Sequence, residues 1–172
     1  MRMKTLFSSP AAGFDEPFAM LYACHERVER SLSLLERLAT HVAQHGADVQ
    51  AQDAARDVMR YFDIAAPQHH EDEQRHVLPA LRAQGQGVLA DRLVADHLAM
   101  SKAWQALRPW LLAVQQGDAN VVPPDLSRFA VSYREHLALE EGSVFAPVQA
   151  ALDEAAQRAM GREMARRRGV QS

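Results

Sequence analysis

Two copies of one spacing carry side chains that commonly bind metals, His69-x-x-x-Glu73 and His136-x-x-x-Glu140. Residues four apart on an α-helix lie on one face, so each pair can direct an imidazole nitrogen and a carboxylate oxygen towards the same point. Both pairs interrupt stripes of apolar residues, and a buried His beside a buried Glu is costly without a further partner. These residue types at this spacing predict ligands of a metal ion.

Helices must position these pairs, because the chain has almost nothing that alternates between polar and apolar residues like a β-strand. Short breaks at residues 46–48, 85–87 and 117–124 separate segments of helical length. The sequence therefore predicts an all-α fold. We expect a first helix with its N-cap at Asp15 and its end at Gly46. Further helices are predicted over about residues 48–84, 88–116, 124–152 and, shorter, 153–168, the last lying across the end of the bundle or fraying at its Arg-rich tail.

Each of the four long predicted helices has polar residues inside its apolar stripe. The second helix, for example, follows the three-four spacing through Val58, Phe62, Ala65, His69 and Glu73. Short connections imply antiparallel neighbours, so the early parts of helices 1 and 3 lie level with the late parts of helices 2 and 4. We therefore expect six side chains to meet in one layer near one end of a bundle: His25, His69, Glu73, His97, His136 and Glu140.

The alternative to a metal site is a buried polar network or a salt-bridged core. A lone His, such as His25 or His97, is more often a satisfied core residue than a ligand, but six convergent groups favour metal. His41 and His45 share the four-residue spacing, yet they fall in the last turns of helix 1 and are expected on the surface at the opposite end. The remaining nearby polar residues are expected on a solvated face or as outer partners of the ligands: Glu71, Asp72, His76 and Glu141.

Four neighbours of these residues have two interpretations each. Pro67 removes a backbone bond to the Asp63 carbonyl, and the resulting kink either aims His69 and Glu73 inward or is an ordinary bend. Cys24 points about 100° away from His25 around the helix, which favours a buried thiol over a ligand. Met100 and Trp104 are stripe residues that belong to the core or wall the metal pocket against water.

Length, charge and cysteine content limit the remaining choices. The 172 residues suffice for one domain, and the net charge of −3 gives no global attraction to nucleic acid or anionic membranes, with residues 162–168 as the only basic exception. A single Cys excludes an intramolecular disulfide and fits a reducing cytoplasm. We see no membrane segment or export signal. The expected organisation is an irregular arm over residues 1–13, the bundle over 14–152, and a short helix with a basic tail over 153–172.

The chain resembles the hemerythrin-like, or HHE cation-binding, domain proteins over roughly residues 18–152. The resemblance rests on His25, on His97 and on two stretches, residues 69–73 (HHEDE) followed by Leu78-Pro79, and residues 136–141 (HLALEE) followed by Phe145-Ala146-Pro147. It implies an up-down-up-down antiparallel four-helix bundle that holds two non-haem iron ions joined by an oxo or hydroxo bridge. By position, His25, His69, His97 and His136 would be terminal ligands, and Glu73 and Glu140 would bridge the irons.

The sequence departs from the oxygen-carrying members in helix 3. Those members have a second His four residues from the helix 3 ligand, where this chain has Leu93 and Ser101. Four His, two bridging carboxylates and a bridging oxygen make about ten bonds of the about twelve that two irons accept. His70 is the best candidate for a seventh protein ligand, and Glu29 is a poorer one.

The missing His weakens the case for reversible oxygen transport. We expect a metal-binding protein that binds or senses a small ligand (O2, NO or peroxide) or iron itself, with manganese or zinc as other possible occupants. One alternative is a di-iron enzyme, an oxidase or an NO or peroxide reductase. The other is a metal-free helical interaction module. No nucleic-acid or membrane partner is expected, and the oligomeric state is open.

Overall fold

The computed structural model describes residues 13–170, so most of the predicted N-terminal arm lies outside the described residues. Helix α1 spans Pro17–His45. Pro17 occupies its first turn, where a missing N–H costs nothing, and Gly46 ends it with a φ of 75° that favours glycine. The predicted N-cap at Asp15 is wrong: Glu16 is the N-cap and its side chain makes no capping bond, because the chain turns into the helix one residue later than expected.

Helix α2 runs over residues 49–83 in five consecutive segments. They are Val49–Arg60, Tyr61–Ala65, Ala66–Asp72, Glu73–Val77 and Leu78–Ala83, of which the second and fourth are π-helical. At the start, the Asp48 side chain accepts a hydrogen bond from the Ala51 N–H at 2.9 Å. The helix is therefore continuous over the predicted range but has two wide turns that the sequence pattern did not predict.

Each wide turn ends two residues before a proline, Pro67 and Pro79. Proline offers no N–H and crowds the carbonyl of the preceding turn, so a wider turn relieves the strain without breaking the rod. The first π turn also shifts the helical register by one residue. The buried stripe consequently passes through Ala66, which is 3% exposed, instead of the predicted Ala65.

The remaining helices complete the bundle. Helix α3 is Gly87–Gln115, and α4 consists of Leu126–Ser143 continued by Phe145–Ala151 after a break at Val144. Each helix packs on the next and α4 packs on α1, which gives an antiparallel up-down-up-down four-helix bundle.

Residues 13–170 contain no β-strand. No helix within that range is both long and apolar enough to cross a membrane.

The short fifth helix, α5 (Glu154–Arg167), packs across one end of the bundle. Gly161 lies against the Phe14 carbonyl so closely that a Cβ there would stand 1.8 Å from the oxygen. The Arg-rich end does not fray, because Arg167 and Arg168 both bind the carboxylate of Asp72. Asp72 is therefore fully buried, and its predicted place on a solvated face is wrong.

The apolar core is divided into two clusters. The larger, cluster A, fills most of the bundle and contains aromatic residues from three helices: Phe62, Trp104, Trp110, Phe129 and Tyr133. The smaller, cluster B, lies beneath α5 and includes Phe18, Leu21, Phe145, Met160 and Met164. Buried polar residues occupy the layer between the two clusters.

Candidate metal centre

The structure brings all six predicted site residues together between clusters A and B. Helices α1 and α3 supply one His each, and α2 and α4 supply a His and a Glu each, as the antiparallel register predicts. Each of the six is at most 4% exposed: His25, His69, Glu73, His97, His136 and Glu140. Six polar side chains at this depth require mutual pairing or a bound cation.

The two carboxylates lie in the middle of this group, and each has its two oxygens on different sides. Glu73 Oε1 is 2.9 Å from His69 Nε2, whereas its Oε2 is 3.1 Å from His97 Nε2. Glu140 Oε1 is 3.0 Å from His136 Nε2, whereas its Oε2 is 3.1 Å from His25 Nε2. Both carboxylates therefore connect a group around His25 and His69 with a group around His97 and His136.

Most of these close contacts are not hydrogen bonds. Both oxygens of Glu73, Oε2 of Glu140, Nε2 of His25 and both ring nitrogens of His69 are buried and lack a partner with hydrogen-bond geometry. Several nitrogen and oxygen atoms that could bind a metal therefore lie close together without being paired by hydrogen bonds. Buried polar atoms in proteins are normally satisfied, so this arrangement is typical of a cation site.

His70 joins the group and divides it into two sets of four donors. Its ring stacks on His97 with centroids 4.1 Å apart and planes 13° apart. One set is His70, Glu73, His97 and His136, and the other is His25, His69, Glu73 and Glu140; within each set one donor atom per residue lies within 4.8 Å of the others. Imidazole nitrogens and carboxylate oxygens suit iron, manganese or zinc.

Acidic residues at the edge of the layer hold two of the imidazoles. Glu141 Oε1 lies 2.8 Å from Nδ1 of His25, and Asp96 Oδ2 lies 3.4 Å from Nδ1 of His136. A carboxylate on Nδ1 fixes the ring and leaves Nε2 free as a donor to a metal. Glu141 was one of four residues predicted to lie on a solvated face or to be outer partners of the ligands, and its side chain is both exposed and bound to His25. Asp96 was missed, because its partner His136 lies on another helix and no spacing in the sequence connects the two.

The carboxylates raise the pKa values of two of the imidazoles. Burial favours the neutral rings of His25 and His97, but Glu140 and Glu73 outweigh it and raise both pKa values to about 9. Burial alone would raise the pKa of Glu140, and Glu73 adds to this, yet His136, His25 and His97 lower it to about 2. In the metal-free protein, protonated imidazoles thus offset the negative charge of the carboxylates. A bound cation can supply this positive charge instead.

His70 differs from the other imidazoles. Burial and then the charge of His97 lower its pKa to about 3, so the ring is neutral at physiological pH. A neutral imidazole is the form that binds a metal. The thiol of Cys24 lies close to His69. Burial favours the neutral thiol, but His69 outweighs this effect and lowers the pKa of Cys24.

Other predicted candidates lie outside the layer. Glu29 pairs with Arg134 at 2.8 Å on the surface of α1 and α4, so it does not approach the cluster. His41 pairs with Asp48 at 2.9 Å near the far end of α1, and His45 is exposed, as predicted. Trp104 is buried in cluster A and donates its Nε1–H to Asp63 at 2.9 Å, so it belongs to the core.

A groove of about 490 Å³ between α3 and α4 reaches the edge of this layer at His136 and Asp96. Three alanines of α3 leave the space open, Ala99, Ala103 and Ala106. No other imidazole of the layer lines the groove among the described residues. The groove therefore gives solvent-borne molecules an approach to one side of the cluster.

Comparison with known proteins identifies the family of this chain. The Hemerythrin HHE cation binding domain matches residues 16–148 of the chain. An uncharacterized protein from Haemophilus influenzae is 31% identical over 171 residues, which cover 98% of this chain and 99% of that relative. The resemblance predicted over residues 18–152 is confirmed. The chain belongs to the hemerythrin HHE cation-binding domain family.

Proposed function

We propose that this protein binds a pair of iron ions and, through them, a small ligand such as O2, NO or peroxide. One observation carries the proposal: Glu73 and Glu140 each turn one oxygen towards the His25 and His69 side and the other towards the His97 and His136 side. A carboxylate placed in this way can bridge two cations. Two such carboxylates between two groups of imidazoles support a site for two metal ions better than a site for one ion.

The donor set supports iron as the occupant. Mixed imidazole and carboxylate ligands suit iron, and manganese or zinc accept the same groups. Bound iron would supply redox chemistry and a Lewis acid for a small oxygen- or nitrogen-containing ligand. The protein contributes the fixed geometry, the neutral His70 ring and the exclusion of bulk water.

The two sides of the site are unequal. With His70 as a seventh ligand, one side has three imidazoles, His70, His97 and His136, and the other has only His25 and His69. Five imidazoles and two bridging carboxylates make about nine of about twelve bonds at two six-coordinate ions. The remaining positions belong mostly to the His25 and His69 side. We infer that the small ligand binds there.

Neighbouring side chains favour a dry, ordered pocket on that side. The Phe145 ring packs on the His25 ring with centroids 5.0 Å apart, and Phe18 and Tyr22 pack on Phe145 in turn. Glu141 holds the His25 ring from outside. Aromatic walls of this kind limit water entry and slow the loss of a bound ligand.

Metal analysis tests the paired site. Protein purified without chelators, and apoprotein titrated anaerobically with ferrous iron, are expected to contain about two metal ions per chain. Fewer than one ion per chain under both conditions would contradict the proposal and favour a metal-free interaction module. For the loaded protein, an absorption spectrum that changes reversibly with O2 or NO supports a ligand-binding role.

The groove at His136 favours a second candidate, a di-iron enzyme. Its volume of about 490 Å³ far exceeds the needs of a diatomic molecule and is sufficient for an organic reductant or substrate. Steady-state assays with an added reductant and O2, NO or peroxide distinguish the two roles. Many turnovers per chain support the enzyme, whereas stoichiometric binding without turnover supports the binding protein.

A further inference from the structure

A second groove lies between α1 and α2, across the bundle from the groove at His136. Its volume is about 600 Å³. Helix α1 contributes Arg27, Arg30 and Ser31, and α2 contributes the remaining lining residues, Asp57, Arg60, Tyr61, Ile64 and Ala65. We call it the arginine groove. None of the six buried His and Glu residues of the candidate metal centre, which we call the metal layer, lines it.

The arginine groove is positively charged in a chain that is negative overall. Three arginines and one aspartate give it a formal charge of +2 (+3 and −1), against −3 for the whole chain. Within residues 13–170, none of the three arginines has a carboxylate within 4 Å. Several other arginines are paired, such as Arg134 with Glu29 and Glu36. A group of unpaired arginines around one groove favours an anionic ligand.

Two further lining residues, Tyr61 and Ile64, offer an apolar surface to the uncharged part of an organic anion. Tyr61 is half-buried there, and its hydroxyl donates to the Cys24 carbonyl at 3.3 Å, which fixes the ring. Ile64 is 55% exposed beside it, an apolar side chain without an obvious role in the core. A flat apolar ring can pack against Tyr61 and Ile64 while a charged group reaches the arginines.

The geometry points to an organic phosphate, such as a nucleoside diphosphate, bound by Arg27, Arg30 and Arg60. Arginine is suited to phosphate because its planar N–H groups form paired hydrogen bonds with two oxygens. The volume of the groove lies within the range of small-molecule sites. Three arginines in a single groove of an acidic chain form too small a basic surface for the extended backbone of a nucleic acid. This inference concerns a site separate from the metal layer and does not rest on the proposed function.

Calorimetric titration of the protein as purified, with ADP and with pyrophosphate, tests the inference. We expect saturable binding of both probes, with ADP tighter. Arg30→Ala and Arg60→Ala are each expected to weaken ADP binding by about tenfold, the effect of losing a charge-assisted contact to phosphate. Ile64→Ser should weaken ADP but leave pyrophosphate unchanged, because only the organic part contacts Ile64.

Arg37→Ala is the matched control. Arg37 is exposed on the same helix, does not line the groove and, among the described residues, has no carboxylate partner. We expect this variant to bind ADP as the native protein does. Equal weakening in Arg37→Ala would show a general charge effect and overturn the site. Unchanged binding in Arg30→Ala and Arg60→Ala would place the phosphate elsewhere, for example on the metal ions. Lack of saturable binding, or equal affinity for ADP and pyrophosphate, would overturn the organic-phosphate ligand.

Discussion

Cluster A and the metal layer are built from the same four helices but differ in what holds them together. In cluster A, the residues at helical spacing are apolar, Leu35 among them, and their side chains need no hydrogen-bond partners. One or two turns away along the same stripes, six positions carry His or Glu instead. The apolar half supplies stability, and the polar layer requires a compensating charge. A bundle can therefore carry a costly site when the adjacent turns supply the stability.

The largest expected effect is the loss of metal when a central carboxylate is removed. Glu73→Ala or Glu140→Ala is expected to reduce metal content from about two ions per chain to one or none, because each carboxylate faces both groups of imidazoles. Metal analysis of the purified variants measures this. His41→Ala, a change outside the layer, is the control and should keep both ions. Full metal content in both Glu variants would refute the bridging assignment.

A cavity in cluster A is expected to show the opposite behaviour. Leu35 is completely buried, and Leu35→Ala should lower the free energy of unfolding by about 2–5 kcal/mol through lost burial and the cavity that remains. Metal content should stay at the native value, since Leu35 does not belong to the layer. Denaturant unfolding and metal analysis of the same sample measure the two quantities. Metal loss equal to that of Glu73→Ala would mean that the two regions are not separable.

A smaller effect is expected at the edge of the layer. Glu141 binds Nδ1 of His25 and is exposed, so Glu141→Ala should fold normally. We expect its metal affinity to fall by about 10–100-fold, the usual cost of losing an outer partner of a ligand. Competition with a chelator of known affinity measures the change. Glu135→Ala, an exposed change on the same helix, is a control that should retain native affinity.

The smallest expected effect is on the pH dependence of thermal stability. The pKa values of His25 and His97 rise from 6.5 to about 9 in the folded, metal-free protein. Because these two imidazoles hold their protons more tightly in the folded state, they contribute their full stabilisation below pH 6.5. This contribution is lost as the pH rises through about 9. The Tm of the metal-free protein should therefore fall between pH 6.5 and 9. The metal-loaded protein should change less, because the ions take the place of these protons. Equal falls in both forms would contradict this interpretation.

The sequence predicted much of the fold and the convergence of the six residues, for identifiable reasons. Helical spacing places His25, His69, His97 and His136 on buried stripes, and short connections fix their relative depth. The π turns before Pro67 and Pro79 were not predicted, because a proline shows where a bond is missing and not how the helix adapts. Asp96 and the Asp72 contacts with α5 were missed for another reason: they depend on neighbours distant in sequence, which periodicity does not reveal.

Anomalous X-ray diffraction from crystals of the iron-loaded protein is the sharpest test of a paired iron site. We expect two separate iron peaks, one among His70, His97 and His136 and the other beside His25 and His69, with Glu73 and Glu140 in contact with both. A single peak, or peaks only outside this layer, would contradict it.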